Sequence, residues 1–160
     1  MEVAPGRPED RPWLEAFLHD QNALRVARRG ELVESLDHPA LLVRSTDGFV
    51  GAATYIISDG ECELLTLHVS PRFAGAGTAL LSGVQAVARR AGCRRLWVVT
   101  TNDNVDALRF YQRRGFRLAH LRPGAVDESR KALKPEIPPT GSHHIPLRDE
   151  LELELLIADR

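Results

Sequence analysis

The chain has 160 residues, 43% of them apolar and 27% charged, a balance that fits one ordinary globular domain with a single sizeable core. Its net charge of −1 gives no global pull toward nucleic acid or membrane, and two cysteines are too few for a disulfide framework. No apolar run approaches the roughly 20 residues of a membrane span, no Cys/His spacing suits a metal, and the N-terminus lacks a signal-peptide core, so the cytoplasm is the expected location.

Taken in chain order, "RPEDRPWLEAFLHDQ" predicts a first helix, with Trp13, Leu14, Phe17 and Leu18 on one face. "RRGELVESLDHP" reads as a weaker helical or turn segment. "ALLVRST" and "FVGAATYIIS" flank Asp47-Gly48 and predict a hairpin. "CELLTLHVS" is the next strand, ended by Pro71. Gly77 to Ala91 carries Leu80, Leu81, Val84, Val87 and Ala88 at helical spacing, with Gly92 as its stop. "RRLWVVTT" predicts a fully buried strand, "NDNVDALRFYQRRG" a polar-capped helix and "FRLAHL" another strand. Residues 122–147 hold five prolines and read as an irregular excursion, after which "LELELLI" alternates as the last strand. The order predicts a single α/β (α+β) domain over residues 1–160, a mixed, mostly antiparallel twisted sheet with helices on both faces.

The stretch "SPRFAGAGTALLSGV", Ser70 to Val84, puts Gly75 and Gly77 at the mouth of a helix, where their poor helix propensity is a cost. A helix start offers unpaired N–H groups and partial positive charge, and glycine removes the Cβ atoms that would hold a phosphate away. No Lys-Ser/Thr pair follows, so this is not a Walker loop. On its own the Gly-x-Gly also describes a plain tight turn. A second feature is "NVDALRFYQRRGF", which sets Asn104, Ala107 and Tyr111 along one helical face and closes on Gly115-Phe116.

With both motifs the chain resembles the GNAT-superfamily (Gcn5-related) N-acetyltransferases. In that family an Arg/Gln-x-x-Gly-x-Gly/Ala loop opens the helix that binds the acetyl-CoA pyrophosphate, and "RFAGAG" matches it through Arg72, Gly75 and Gly77. The Asn-x-x-Ala-x-x-x-Tyr helix ending in Gly-Phe is matched by "NVDALRFYQRRGF". The ending "LKPEIP…GSHHIPLRDELELEL" is similar to that of a bacterial subgroup.

The resemblance implies an acetyl-CoA-dependent N-acetyltransferase in which a primary amine, expected from a small molecule, attacks the thioester directly in a ternary complex. Arg72, Ala74, Gly75, Ala76, Gly77 and Thr78 would hold the pyrophosphate, with Asn104 a further cofactor contact. Pro71 abutting Arg72 leaves two strand registers: Leu67 is a pantetheine position in both, joined by Val69 in one and Leu65 in the other. Tyr111 would protonate the leaving thiolate. The base would be Glu63, or Glu61 in the other register. Glu63 is favoured as the deeper of the two, and a regular strand places both glutamates and Leu67 on one face, opposite His68.

Arg148 and Asp149 are candidate substrate contacts, on the expectation that the 122–147 excursion closes over the acceptor. His143-His144 reads as exposed loop, and Cys62 and Cys93 as buried thiols. Nucleic acid and membrane are not expected partners, a homodimer is left open, and no metal is expected. The rival readings are a CoA-binding module without turnover and an acetyltransferase acting on a protein amine.

Overall fold

The computed structural model describes residues 1–157. Along the chain run β1 (Glu2–Pro5), α1 (Arg11–Asp20), β2 (Arg25–Arg28), β3 (Glu31–Glu34), β4 (Ala40–Ser45), β5 (Gly48–Ser58) and β6 (Glu61–Val69). There follow α2 (Ala76–Arg90), β7 (Arg95–Thr101), α3 (Val105–Arg113), β8 (Arg117–Arg122), α4 (Ala125–Ala132) and β9 (Glu150–Leu156). The mixed α/β architecture with mostly antiparallel strands is the one expected. No helix among the described residues is long and apolar enough to cross a membrane. The chain falls into two compact units, Met1–Val26 with Glu34–Leu96, and Ala27–Val33 with Trp97–Leu156.

In the first unit β1, β4, β5 and β6 lie side by side and antiparallel. Cross-strand partners share a face of a sheet, so Leu42, Ala52 and His68 form one row and Leu41, Ala53 and Leu67 another. The Leu42–Ala52 row packs with Leu14 and Leu18 of α1. The Leu41 row lies under α2, where a Cβ added to Gly83 would stand 2.9 Å from Leu41 Cδ1 and 3.1 Å from Val3 Cγ1. The two helices therefore cover opposite faces. Gly83 is what lets α2 come down onto the strands, and Leu80, Leu81 and Val84 are buried there. Each such side chain contributes about 1.5–3 kcal/mol by leaving water.

The pairing of β5 with β6 slips between Thr54 and Tyr55: Thr54 faces Thr66, but Tyr55 faces Leu64. Leu65 is the extra residue of a β-bulge. The backbone N–H of Thr54 turns to the hydroxyl of Thr66 at 3.3 Å, and the two threonine hydroxyls lie 2.6 Å apart.

In the second unit β9 lies between β7 and β8. Arg117, His120 and Arg122 of β8 oppose Glu154, Glu152 and Glu150 of β9. Leu118 and Leu121 oppose Leu153 and Leu151 on the other face. Two local expectations are corrected. "RRGELVESLDHP" is no helix: β2 and β3 form a hairpin turned by Arg29 and Gly30, both in the left-handed region (φ 51° and 78°), and Ser35–Asp37 is a short 3-10 turn. The turn uses the Gly30 conformation freely and bends Arg29 into one that is costly for a side chain.

The excursion, expected to be irregular, contains α4. Its glycine start, the acids Asp127 and Glu128 in the first turn and Arg130 and Lys131 in the last satisfy the helix dipole, while the prolines stand outside it. The rest is tied down by polar contacts. Asn102 Oδ1 accepts the N–H groups of Arg148 and Asp149, both at 3.0 Å, and its amide donates to the Pro146 carbonyl at 2.8 Å. Arg130 donates to the carbonyls of Ile137, Pro138 and Leu147 and pairs with Asp127 at 2.7 Å.

Candidate active site

The turn from β6 into α2 is built by three backbone hydrogen bonds, Ser70 N–H to Val50, Phe73 N–H to Ser70 and Ala76 N–H to Phe73, at 2.8, 3.0 and 3.2 Å. They leave the N–H groups of Ala74, Gly75 and Gly77 without a hydrogen-bond partner among the described residues. Gly75 caps the helix in the left-handed region, φ 88° and ψ −15°, and is exposed. A Cβ there would meet only Met1 Cε, at 3.6 Å, so the glycine answers to backbone shape and outside access rather than to internal crowding. N–H groups without a partner among the described residues, at the positive end of a 15-residue helix, suit an anionic ester such as a pyrophosphate. Arg72 is exposed beside them, its guanidinium carbon 5.0 Å from the Phe73 ring. Ala76 is fully buried, so its side chain anchors the turn, while Thr78 is exposed.

The expectation that Glu63 and Leu67 share a face does not hold. Glu63 pairs with Ile56, in the row of Ala52 and His68 that faces α1, whereas Leu67 pairs with Ala53 in the row facing α2. The Leu65 bulge supplies the extra residue that reverses the alternation. Leu67 and Val69 both lie beyond the bulge in regular pairing. Of the two candidate bases, Glu61 is taken up by Arg94 at 2.7 Å and Arg95 at 3.0 Å. Glu63 is 3% exposed. His68 shares its face, and burial lowers the pKa of its ring, which keeps the imidazole neutral near pH 7. Cys62 and Cys93 are buried free thiols, and burial pushes Cys62 up to about 12, which rules out a ready thiolate nucleophile.

In the second unit Asn104 caps α3, its Oδ1 accepting the N–H of Ala107 at 3.2 Å. Such a cap contributes about 1 kcal/mol. Tyr111, 6% exposed, packs between Phe110 and Phe116 with ring centroids 5.2 Å away on either side. Its hydroxyl makes no hydrogen bond among the described residues, and burial raises its pKa, so the phenol stays protonated. Asp149 accepts the Gly124 N–H at 2.8 Å and helps to start α4, while Arg148 is exposed. His143 is also exposed, 3.6 Å from Asp106. No group of metal-ligating side chains occurs among the described residues.

A buried polar cluster escaped the sequence reading. Glu150 and Glu152 of β9 are each 2% exposed and face Arg122 of β8 and the tip of the β2–β3 hairpin. The alternation in "ELELEL" against "FRLAHLR" was its only signal.

The model of the acetyltransferase (GNAT) family matches residues 5–116. The chain belongs to that family. The Bacillus subtilis "Uncharacterized protein YdhI" is 42% identical over 109 residues, covering 68% of this chain and 68% of that protein. The "Uncharacterized N-acetyltransferase Rv2669" of Mycobacterium tuberculosis is 33% identical over 98 residues, 59% of this chain and 63% of that protein. Among solved structures, a GNAT family acetyltransferase from Elizabethkingia anophelis with acetyl-CoA bound superposes with a TM-score of 0.71 over 98% of this chain and 97% of that one, at 20% identity. The chain is thus a GNAT-family acetyltransferase, and the turn at the mouth of α2 lies within the matched region.

Proposed function

We propose that residues 1–160 act as one catalytic domain that acetylates a primary amine of a small molecule. The observation that carries this is the unpaired N–H set of Ala74, Gly75 and Gly77 around a left-handed glycine at a helix start. Acetyl-CoA supplies an acetyl group activated as a thioester. The backbone from Ala74 to Thr78, with Arg72 beside it, holds the pyrophosphate, and the backbone of Leu67 and Val69 holds the pantetheine arm. Asn104 acts at the cofactor through the helix start it caps.

Glu63 takes the proton from the attacking amine, because an ammonium has no lone pair to attack with. As the new C–N bond forms and the C–S bond breaks, Tyr111 donates its phenolic proton to the departing sulfur. The packed ring and the protonated state of the phenol support the role. Arg148 and Asp149 act at the acceptor, Asp149 by fixing the start of α4 and Arg148 with its exposed side chain. Thermal unfolding with and without acetyl-CoA tests the reading first. Saturating acetyl-CoA should raise the midpoint, by an amount equivalent to about 2.7 kcal/mol at a hundred times its dissociation constant. An unchanged midpoint refutes it.

A further inference from the structure

The hairpin of β5 and β6 is closed by two residues, Asp59 and Gly60, both in the left-handed region (φ 55° and 74°). Such a turn makes its flanking residues, Ser58 and Glu61, a hydrogen-bonded pair. Along an antiparallel ladder, hydrogen-bonded and non-hydrogen-bonded pairs alternate. Counted from the turn without interruption, Leu67 would oppose Ala52 and Val69 would oppose Val50, both in hydrogen-bonded pairs. Their N–H and C=O groups would then be directed at β5.

The Leu65 bulge breaks that count. Ser70 donates its N–H to the Val50 carbonyl at 2.8 Å, which makes Val50–Ser70 a hydrogen-bonded pair at the far end. Ala52–His68 is the next such pair, so Gly51–Val69 and Ala53–Leu67 are non-hydrogen-bonded pairs. The backbone groups of Leu67 and Val69 therefore point away from β5. One extra residue has turned them round. At the bulge the Thr54 N–H donates to Thr66 Oγ1 at 3.3 Å, and that oxygen lies 2.6 Å from Thr54 Oγ1. Both threonines are buried, at 0% and 5% exposure. A buried hydroxyl is costly unless it is bonded, and here the two hydroxyls bond each other and the backbone at the slip.

We propose that Thr66, backed by Thr54, is a positioning residue for the pantetheine arm of acetyl-CoA. Its hydroxyl holds the bulge, and the bulge presents the backbone of Leu67 and Val69. This role rests on the acetyl-transfer reading above, in which that backbone takes the arm. The arm carries two amides, each with one donor and one acceptor, and an outward strand edge offers the same groups. Leu67 and Val69 lie two residues apart, about 6.6 Å along the strand, so both can face one extended ligand.

Calorimetry on the whole chain compares acetyl-CoA with 3′-phospho-ADP, which keeps the pyrophosphate and lacks the arm. Thr66→Val should weaken acetyl-CoA binding at least tenfold and shift 3′-phospho-ADP binding less than twofold. Thr66→Ser, which keeps the hydroxyl, should hold acetyl-CoA within threefold of the unaltered protein. Equal losses for both ligands, the result of a merely structural role, overturn the assignment. So does Thr66→Val with acetyl-CoA affinity intact, or a tenfold loss in Thr66→Ser.

A second measurement needs no variant to fold. In the unaltered protein, acetyl-CoA should slow hydrogen exchange at the Leu67 and Val69 amides at least tenfold, and 3′-phospho-ADP less than twofold. Equal exchange with the two ligands would end the assignment. Failure to bind acetyl-CoA at all would sink the acetyl-transfer reading instead.

Discussion

Replacing Tyr111 by phenylalanine removes one oxygen and leaves the ring. The ring's packing, 5.2 Å from Phe110 and 5.2 Å from Phe116, is retained, and the lost hydroxyl had no hydrogen-bond partner among the described residues. The fold should therefore lose no more than ~0.5 kcal/mol, the range of substitutions that break no named interaction. The chemical step should lose much more. A positioned general acid accelerates proton transfer by about 10² to 10⁴, or about 3–5 kcal/mol of barrier. The assay is single-turnover CoA release with acetyl-CoA and amine saturating, beside the acetyl-CoA dissociation constant and the unfolding midpoint of the same preparation. A rate at least a hundredfold lower, with the other two values unchanged, is expected. Because burial raises the Tyr111 pKa, the unaltered enzyme should show no loss from tyrosine ionisation below about pH 10. A variant rate within twofold of the original at every pH refutes the assignment.

Gly75→Ala places a Cβ on a residue at φ 88°, which costs roughly 1–2 kcal/mol and lowers the unfolding midpoint by a few degrees. Acetyl-CoA binding, read by calorimetry, should weaken at least tenfold, and unchanged affinity would take the phosphate away from this turn. Gly141→Ala drives the new Cβ into the Asp103 carboxylate, whose Oδ2 accepts the Ser142 N–H at 2.9 Å. Thermal unfolding should show a loss of about 1–3 kcal/mol, the usual range for overpacking. Glu150→Gln should stabilise the ligand-free protein at neutral pH. Burial raises the Glu150 pKa more than the Arg29 N–H and the Arg122, Arg28 and Arg29 charges lower it, so the folded state holds its proton more tightly than the unfolded state does. That contribution is present below the unfolded carboxylate pKa and is lost as pH rises through the folded one. The variant's advantage should thus be seen at pH 7 and vanish near pH 4, and an advantage that grows on acidification would reverse the sign of the argument.

The helices α2 and α3 were legible because their signals are local: apolar spacing at Leu80, Leu81 and Val84, a capping Asn104, and stops at Gly92 and Gly115. The four-residue strands β2 and β3 were not, since Arg25–Arg28 and Glu31–Glu34 carry too few apolar positions to show a period of two. Prolines on both sides hid α4, although its own eight residues contain none. The Leu65 bulge left no mark in "ELLTL", because an extra residue is decided by the partner strand rather than by the sequence that carries it. That one residue moved Glu63 to the His68 face. The alternation in "LELELLI" marks Glu152 as a strand position but not its burial, since Arg122 and the hairpin tip that face Glu150 and Glu152 are far off in sequence.

The central claim is tested most directly by mass spectrometry of the products formed from acetyl-CoA and a panel of primary amines. The account predicts one acetylated amine per molecule of free CoA, with the protein itself unmodified at the end. Acetyl-CoA that binds yet yields neither acetylated amine nor free CoA, across small-molecule and peptide amines alike, would contradict it.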